Sequence, residues 1–90
     1  MNKAELVEKV AKKTSMTKVQ SELVLDAALE IIAKSVARGE DVKIVGFGTF
    51  SRGTRKARKG RNPKTGTQII IPAAKVPKFK PGKEFRDLCN

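Results

Sequence analysis

Apolar residues recur at helical spacing through about the first 40 positions and at strand spacing after them, and that change of period divides the chain. Asn2 followed by Glu5 reads as an N-cap with a reciprocal partner. It opens a helix whose apolar side is Ala4, Leu6, Val7, Val10 and Ala11. Lys12 and Lys13 suit the negative end of that helix, which should stop near Thr14. Thr17 and Gln20 make a second capping box, so Thr14-Ser15-Met16 becomes the link of a helix hairpin. The second helix is expected from about Lys18 to Arg38, with Gly39 as its stop.

That second helix carries more apolar surface than one short partner can cover. Glu22, Asp26, Glu30 and Lys34 form a narrow polar stripe, while Leu23, Val24, Leu25, Ala27, Ala28, Leu29, Ile31, Ile32 and Val36 spread over well beyond half the circumference. A surface helix needs an apolar stripe of about 100° or a little more. The excess must meet either the chain's own sheet or a second copy. Ninety residues bury only about 60–65% of their unfolded surface, and four Phe with no Trp or Tyr thin the core further. A closed two-fold dimer is therefore the expected solution.

Asp41 to Val45 alternates and reads as a strand, Gly46-Phe47-Gly48 as a turn with an apolar crest, and Thr49-Phe50 as the start of a second strand. Phe47 and Phe50 are expected in the core. From Arg52 to Asn62 is eleven residues, about 35 Å when extended at ~3.3 Å each. Core strands usually span only ~17–20 Å, so this one must project. Between Ser51 and Lys64 the only apolar side chains are Ala57 and Pro63, so nothing there can be buried in a core. Asn62-Pro63-Lys64-Thr65-Gly66 is a turn, with Pro63 pre-set for the first bend and Gly66 free to take positive φ. The returning limb brings Ile69, Ile70 and Ile71, then Pro72, which should interrupt the ladder at an edge or bulge. Val76 and Phe79 are expected core contacts, Pro81-Gly82 a turn, and Lys83 to Leu88 a short helix.

The expected architecture is α+β. A helix-hairpin base carries a three-stranded antiparallel sheet extended into a long two-stranded β-arm, followed by a short C-terminal helix, in an intertwined homodimer. Residues 1–90 are read as one domain: 1–40 as the dimerisation body, 41–82 as sheet and arm with its tip at 61–66, and 83–90 as the terminal helix. An isolated two-stranded ribbon is marginally stable, so the arm should be mobile until it binds.

Charge sharpens this picture. The formal net charge is +11, yet residues 1–41 carry seven basic and seven acidic residues, whereas residues 42–83 carry twelve basic and none acidic. A neutral half joined to a half without acids is the footprint of a polyanion binder. Eight of those bases fall between Arg52 and Lys75. The single cysteine, Cys89, excludes an intrachain disulfide, and the absence of His removes the commonest general base and metal ligand. No catalysis, metal or cofactor is expected. The opening MNKAELVEKV lacks a signal-peptide run and no stretch approaches a membrane span, so a cytoplasmic, soluble protein is expected. A membrane-surface binder would carry its charge on an amphipathic helix rather than a ribbon. RNA is at most a secondary partner, because no aromatic side chain between Ser51 and Lys78 could stack on splayed bases.

Cations at this density neutralise phosphates of any duplex and release counterions. Arginine suits the negative potential of a narrow minor groove. Asn62 can bond the degenerate minor-groove edges, though one amide carries little sequence information. Pro63 has two readings: a ring that merely sets φ in a turn, or an exposed apolar wedge that enters between base steps. Its place at the tip of a basic arm favours the wedge.

Gly46-Phe47, Phe50, Arg55, Arg58, Gly60, Asn62-Pro63 and Thr65 fall at the spacing of the signature of the bacterial HU and integration host factor family. The chain resembles that family from end to end, through MNKAELV, VGFGTF, GRNPKTG and AAKVPKF, and is more similar to HU. The resemblance implies an intertwined dimer whose two arms embrace double-stranded DNA through the minor groove with little sequence preference. It implies a taste for bent, nicked or gapped DNA and a role in compacting a bacterial or plastid nucleoid. Carried over by position, Pro63 would intercalate, and Arg55, Arg58, Arg61 and Asn62 would line the arm's contacts. Lys3 and Lys83 would meet flanking phosphates. Arg52, Lys56, Lys59, Lys64, Lys75, Lys78 and Lys80 are added from charge alone, and about half of them should touch phosphate. A site-specific bending factor of the integration host factor type is the alternative. Cys89 departs from the HU pattern and is read as a free, inert thiol.

Overall fold

Hydrogen bonds at the helix ends place the first two elements. In the computed structural model, which describes residues 1–90, Asn2 Oδ1 accepts the Glu5 N–H at 2.9 Å and opens α1, Lys3–Thr14. Only that half of the expected box is made. Ser15 then turns left-handed at φ 57°. Thr17 and Gln20 make the full reciprocal box, at 3.1 and 3.2 Å, and open α2, Lys18–Ala37. Gly39, at φ 88°, ends α2 in a Schellman arrangement: its N–H reaches the Val36 carbonyl at 2.9 Å and the Glu40 N–H reaches that of Ser35 at 3.0 Å. A side chain at φ 88° would be strained, so glycine is the residue that fits.

Two compact units result, Met1–Lys34 and Ser35–Asn90, with the division falling inside α2. In the first, Val7, Ala11 and Ser21 are buried. Lys18 pairs with Glu8 at 2.9 Å, and Lys34 bridges from the neighbouring turn to Glu30 at 2.6 Å along the polar stripe. Leu23, Val24, Leu29 and Ile31 of α2 remain 51–65% exposed.

In the second unit β1 (Val42–Ile44), β2 (Gly48–Arg55) and β5 (Ala74–Pro81) form an antiparallel sheet in the order β1-β2-β5. Val42 pairs with Phe50, and β2 pairs with β5 from Gly48↔Pro81 to Arg55↔Ala74. A separate ladder joins β3 (Arg58–Arg61) to β4 (Gln68–Ile71), from Arg58↔Ile71 to Arg61↔Gln68. The ribbon is therefore two ladders with Lys56-Ala57 and Pro72-Ala73 unpaired between them. The interruption expected at Pro72 is present, because proline has no N–H to donate. It is not a bulge, however: two residues are skipped on each strand and the register is unchanged across the gap.

Helix α3, Lys83–Leu88, follows the Gly82 N–H bond to the Phe47 carbonyl at 2.8 Å. All four Phe gather, with ring centroids 4.8 Å apart for Phe50–Phe79 and 5.0 Å for Phe47–Phe85. The cluster is open on one side, with Phe47 42% and Phe79 39% exposed, so core burial of these rings is only half realised within one chain. A Cβ on Gly48 would stand 2.6 Å from the Lys80 carbonyl oxygen and from the Phe79 ring, which is why that position is bare.

Candidate nucleic-acid interface

Strand register sorts the basic residues onto faces, since paired residues share a side and neighbours along a strand alternate. One side of the β1-β2-β5 sheet carries Ile44, Phe50 and Phe79, together with Arg52 and Lys75. The other carries Lys43, Thr49, Lys80, Ser51, Lys78, Gly53 and Arg55, with Ala74 and Val76, so Val76 lies on the opposite side from Phe79. That second side is cationic, without acids, and paved with small residues. Lys78 lies across Gly53, where a Cβ would overlap its Cε. Charge counting alone leaves out Thr49 and Ser51 and cannot rank Lys43, Lys78 and Lys80; the signal is their alternation once the register is known.

Beyond the gap the same rule splits the arm. Arg58, Gly60, Ile69 and Ile71 share one face, and Lys59, Arg61, Gln68 and Ile70 the other. Lys56 lies in the unpaired gap and Lys64 in the tip. At the tip Asn62 exchanges backbone bonds, donating to Thr67 at 2.8 Å and accepting from Gly66 at 2.8 Å. Its side chain is turned inward: Oδ1 accepts the Lys64 N–H at 2.9 Å, an Asx turn. Asn62 thus builds the loop that holds Pro63, and its Nδ2 is what remains for an outside acceptor. Gly66 takes φ 71° as the turn requires, and Pro63 is exposed.

Of the twelve residues expected at the site, Lys3 belongs to the first unit and the other eleven to the second. Arg52 turns towards the aromatic side and donates from Nη1 to the Ala37 carbonyl at 3.0 Å. Lys3, in the first unit, holds Asp26 at 2.7 Å and Glu22 at 3.7 Å. The hydrogen bond to Asp26 chiefly raises the Lys3 ammonium above its ordinary pKa of 10.5. Glu8 is lowered from 4.5, first by its hydrogen bond to Lys18. Lys83 is exposed at the start of α3.

Electrostatically the halves differ completely. Every ion pair in the chain lies within the first 40 residues. None of the twelve bases from Lys43 to Lys83 meets a carboxylate. Unneutralised cations held about a strand apart attract a polyanion strongly and without regard to sequence. No cluster of three His, Cys, Asp or Glu could hold a metal ion, Cys89 is an exposed free thiol, and no helix is long and apolar enough to cross a membrane.

The chain matches the bacterial DNA-binding protein family over residues 1–90. It is 55% identical over 87 residues to the DNA-binding protein HU of Nostoc sp., covering 97% of this chain and 93% of that one. It is 51% identical over 90 residues to the DNA-binding protein HU of Clostridium pasteurianum, covering 100% of this chain and 99% of that one. Among solved structures it resembles Anabaena HU in a cocrystal with DNA, with a TM-score of 0.97, 54% identity, and coverage of 99% of this chain and 97% of that one.

Proposed function

From the premise that this chain belongs to the bacterial DNA-binding protein family, we propose that it is a histone-like architectural protein of the HU kind. It grips double-stranded DNA with little sequence specificity, bends it and compacts the nucleoid. The observation that carries this reading is the run of unpaired cations over one sheet face and along the arm. The HU relatives favour it over a site-specific factor of the integration host factor type.

The duplex lies along the face bearing Lys43, Lys78, Lys80 and Arg55, whose small neighbours let a backbone approach. The arm then follows the minor groove, with Arg58, Arg61, Lys59 and Lys64 neutralising phosphates on its two sides. Minor-groove architectural proteins, HU among them, insert apolar wedges between base steps, and Pro63 is the exposed ring able to do so. Wedging is easiest where stacking is already broken, hence a preference for nicked, gapped or bent DNA. The uncovered face of α2 is matched by a second copy of the chain, so residues 1–90 act as one domain within a homodimer carrying two arms. The reading contains no catalytic step, cofactor or metal.

Intact and nicked duplexes of random sequence, titrated side by side with bend angle read by energy transfer, test it. The expected result is binding to all, tighter binding to the nicked form, and a bend in both. Tight binding without bending would remove the architectural role.

A further inference from the structure

Arg52 sits on the side of β2 that carries Phe50, opposite Arg55 and Lys78. Its Nη1 donates at 3.0 Å to the Ala37 carbonyl, the last of α2. The two carbonyls before it are occupied by the Schellman bonds from Glu40 and Gly39, which leaves Ala37 to Arg52. A cation there also meets the negative end of the helix dipole. The helix's own base in that turn, Lys34, is drawn to Glu30. Gly39 leaves the room: a Cβ on it would stand 3.0 Å from Arg52 Nη2.

We propose that Arg52 is a positioning residue, a clamp that fixes the root of the arm to the end of α2, and not a DNA contact. The inference deepens the reading that the arm bends the duplex. From Arg52 the strand runs through Arg55 to the unpaired gap at Lys56-Ala57, so the clamp is a side-chain anchor of β2 before the ladder breaks. A bent duplex pushes back on the arms that hold it. An arm with a loose root keeps its cations and its grip, but yields under that load.

The test compares the parent protein with Arg52→Met, Arg52→Lys and, as a control, Arg55→Gln. Loss of one phosphate contact lowers the log–log salt slope by about 0.9, the result expected for Arg55→Gln. Arg52→Met is expected to leave the slope unaltered while reducing bend angle and cutting the preference for nicked over intact duplex roughly two- to fivefold, the ratio worth of one helix-terminus interaction. Arg52→Lys, which keeps the charge, should recover part of the bend. A slope lowered like that of Arg55→Gln, with bending retained, would make Arg52 an ordinary phosphate contact. Hydrogen exchange on the free proteins judges the clamp separately from the DNA-bending reading. Arg52→Met should speed exchange at the Gly39 and Glu40 amides and along β2 beyond residue 52, and unchanged exchange there overturns the clamp even if the parent fails to bend DNA.

Discussion

Helix α2 and the β3–β4 ladder both leave most of their side chains in water, but the balance of what they expose differs. α2 exposes the apolar row Leu23, Val24, Leu29 and Ile31, and the ladder exposes the cations Arg58, Lys59 and Arg61 with Ile69 and Ile70 beside them. Full burial of one such aliphatic side chain is worth about 1.5–3 kcal/mol, so an uncovered row of them is a standing deficit in a chain with three buried apolar residues, Val7, Ala11 and Val36. Hydrated cations incur no such deficit. On the proposed reading the first surface needs a second copy before the fold is stable, whereas the second can wait for a duplex and release it. Permanent assembly and reversible, salt-tunable grip would then come from different halves of the same small chain.

The sharpest way to break this comparison is to put a charge into the apolar row. Ile31→Lys is expected to abolish the folded state at micromolar concentration, because an unpaired ammonium would have to be desolvated against the second copy. Sedimentation should show the parent at twice 9.8 kDa and the variant as an unfolded single chain. A parent that runs as a folded 9.8 kDa species would remove the dimer and with it the contrast.

The cationic surface has its own signature. If six or more phosphates are neutralised, affinity for plain duplex should fall roughly 10³-fold or more between about 50 and 200 mM salt. Folding should hardly respond over the same range, since the ion pairs of the first 40 residues are exposed and few. A flat binding response would assign the grip to something other than charge. Pro63→Ala comes next in size: about a tenfold loss of preference for nicked DNA and a smaller bend, with plain-duplex affinity nearly kept. Equal losses on every substrate would reduce Pro63 to a turn residue.

What the sequence discloses here depends on how local the cause is. Helix ends were legible because caps act over three residues, as at Thr17 and Gln20. The arm was legible because the stretch from Arg52 to Asn62 has almost nothing to bury, and its break because Pro72 cannot donate. The faces were not, since a one-residue change of register moves every side chain to the other side. Arg52 reads as one more cation until a carbonyl fifteen positions earlier is found at its guanidinium. Asn62 reads as a wholly free amide until its oxygen is found on the Lys64 N–H. The Phe cluster reads as core because composition does not say that Phe47 and Phe79 stay 42% and 39% exposed.

The smallest effect concerns the one cation on the helical side expected to reach DNA. Lys3 is held by Asp26 at 2.7 Å and Glu22 at 3.7 Å, so phosphate must compete with two carboxylates. Asp26→Asn should free it and raise duplex affinity about threefold, the scale of one screened surface interaction. The gain should vanish in a Lys3→Gln background; if it persists there, it reflects only the removal of an acid near a polyanion. The pH response supplies an independent check. Because folding raises the Lys3 pKa above 10.5, the pair's contribution to stability is fully present below 10.5 and is lost as pH climbs through the folded value. The parent should therefore lose stability on that alkaline limb more steeply than Asp26→Asn, while the two run parallel from pH about 6 to 9, and limbs of equal slope would mean that Lys3 is not held by Asp26 in solution.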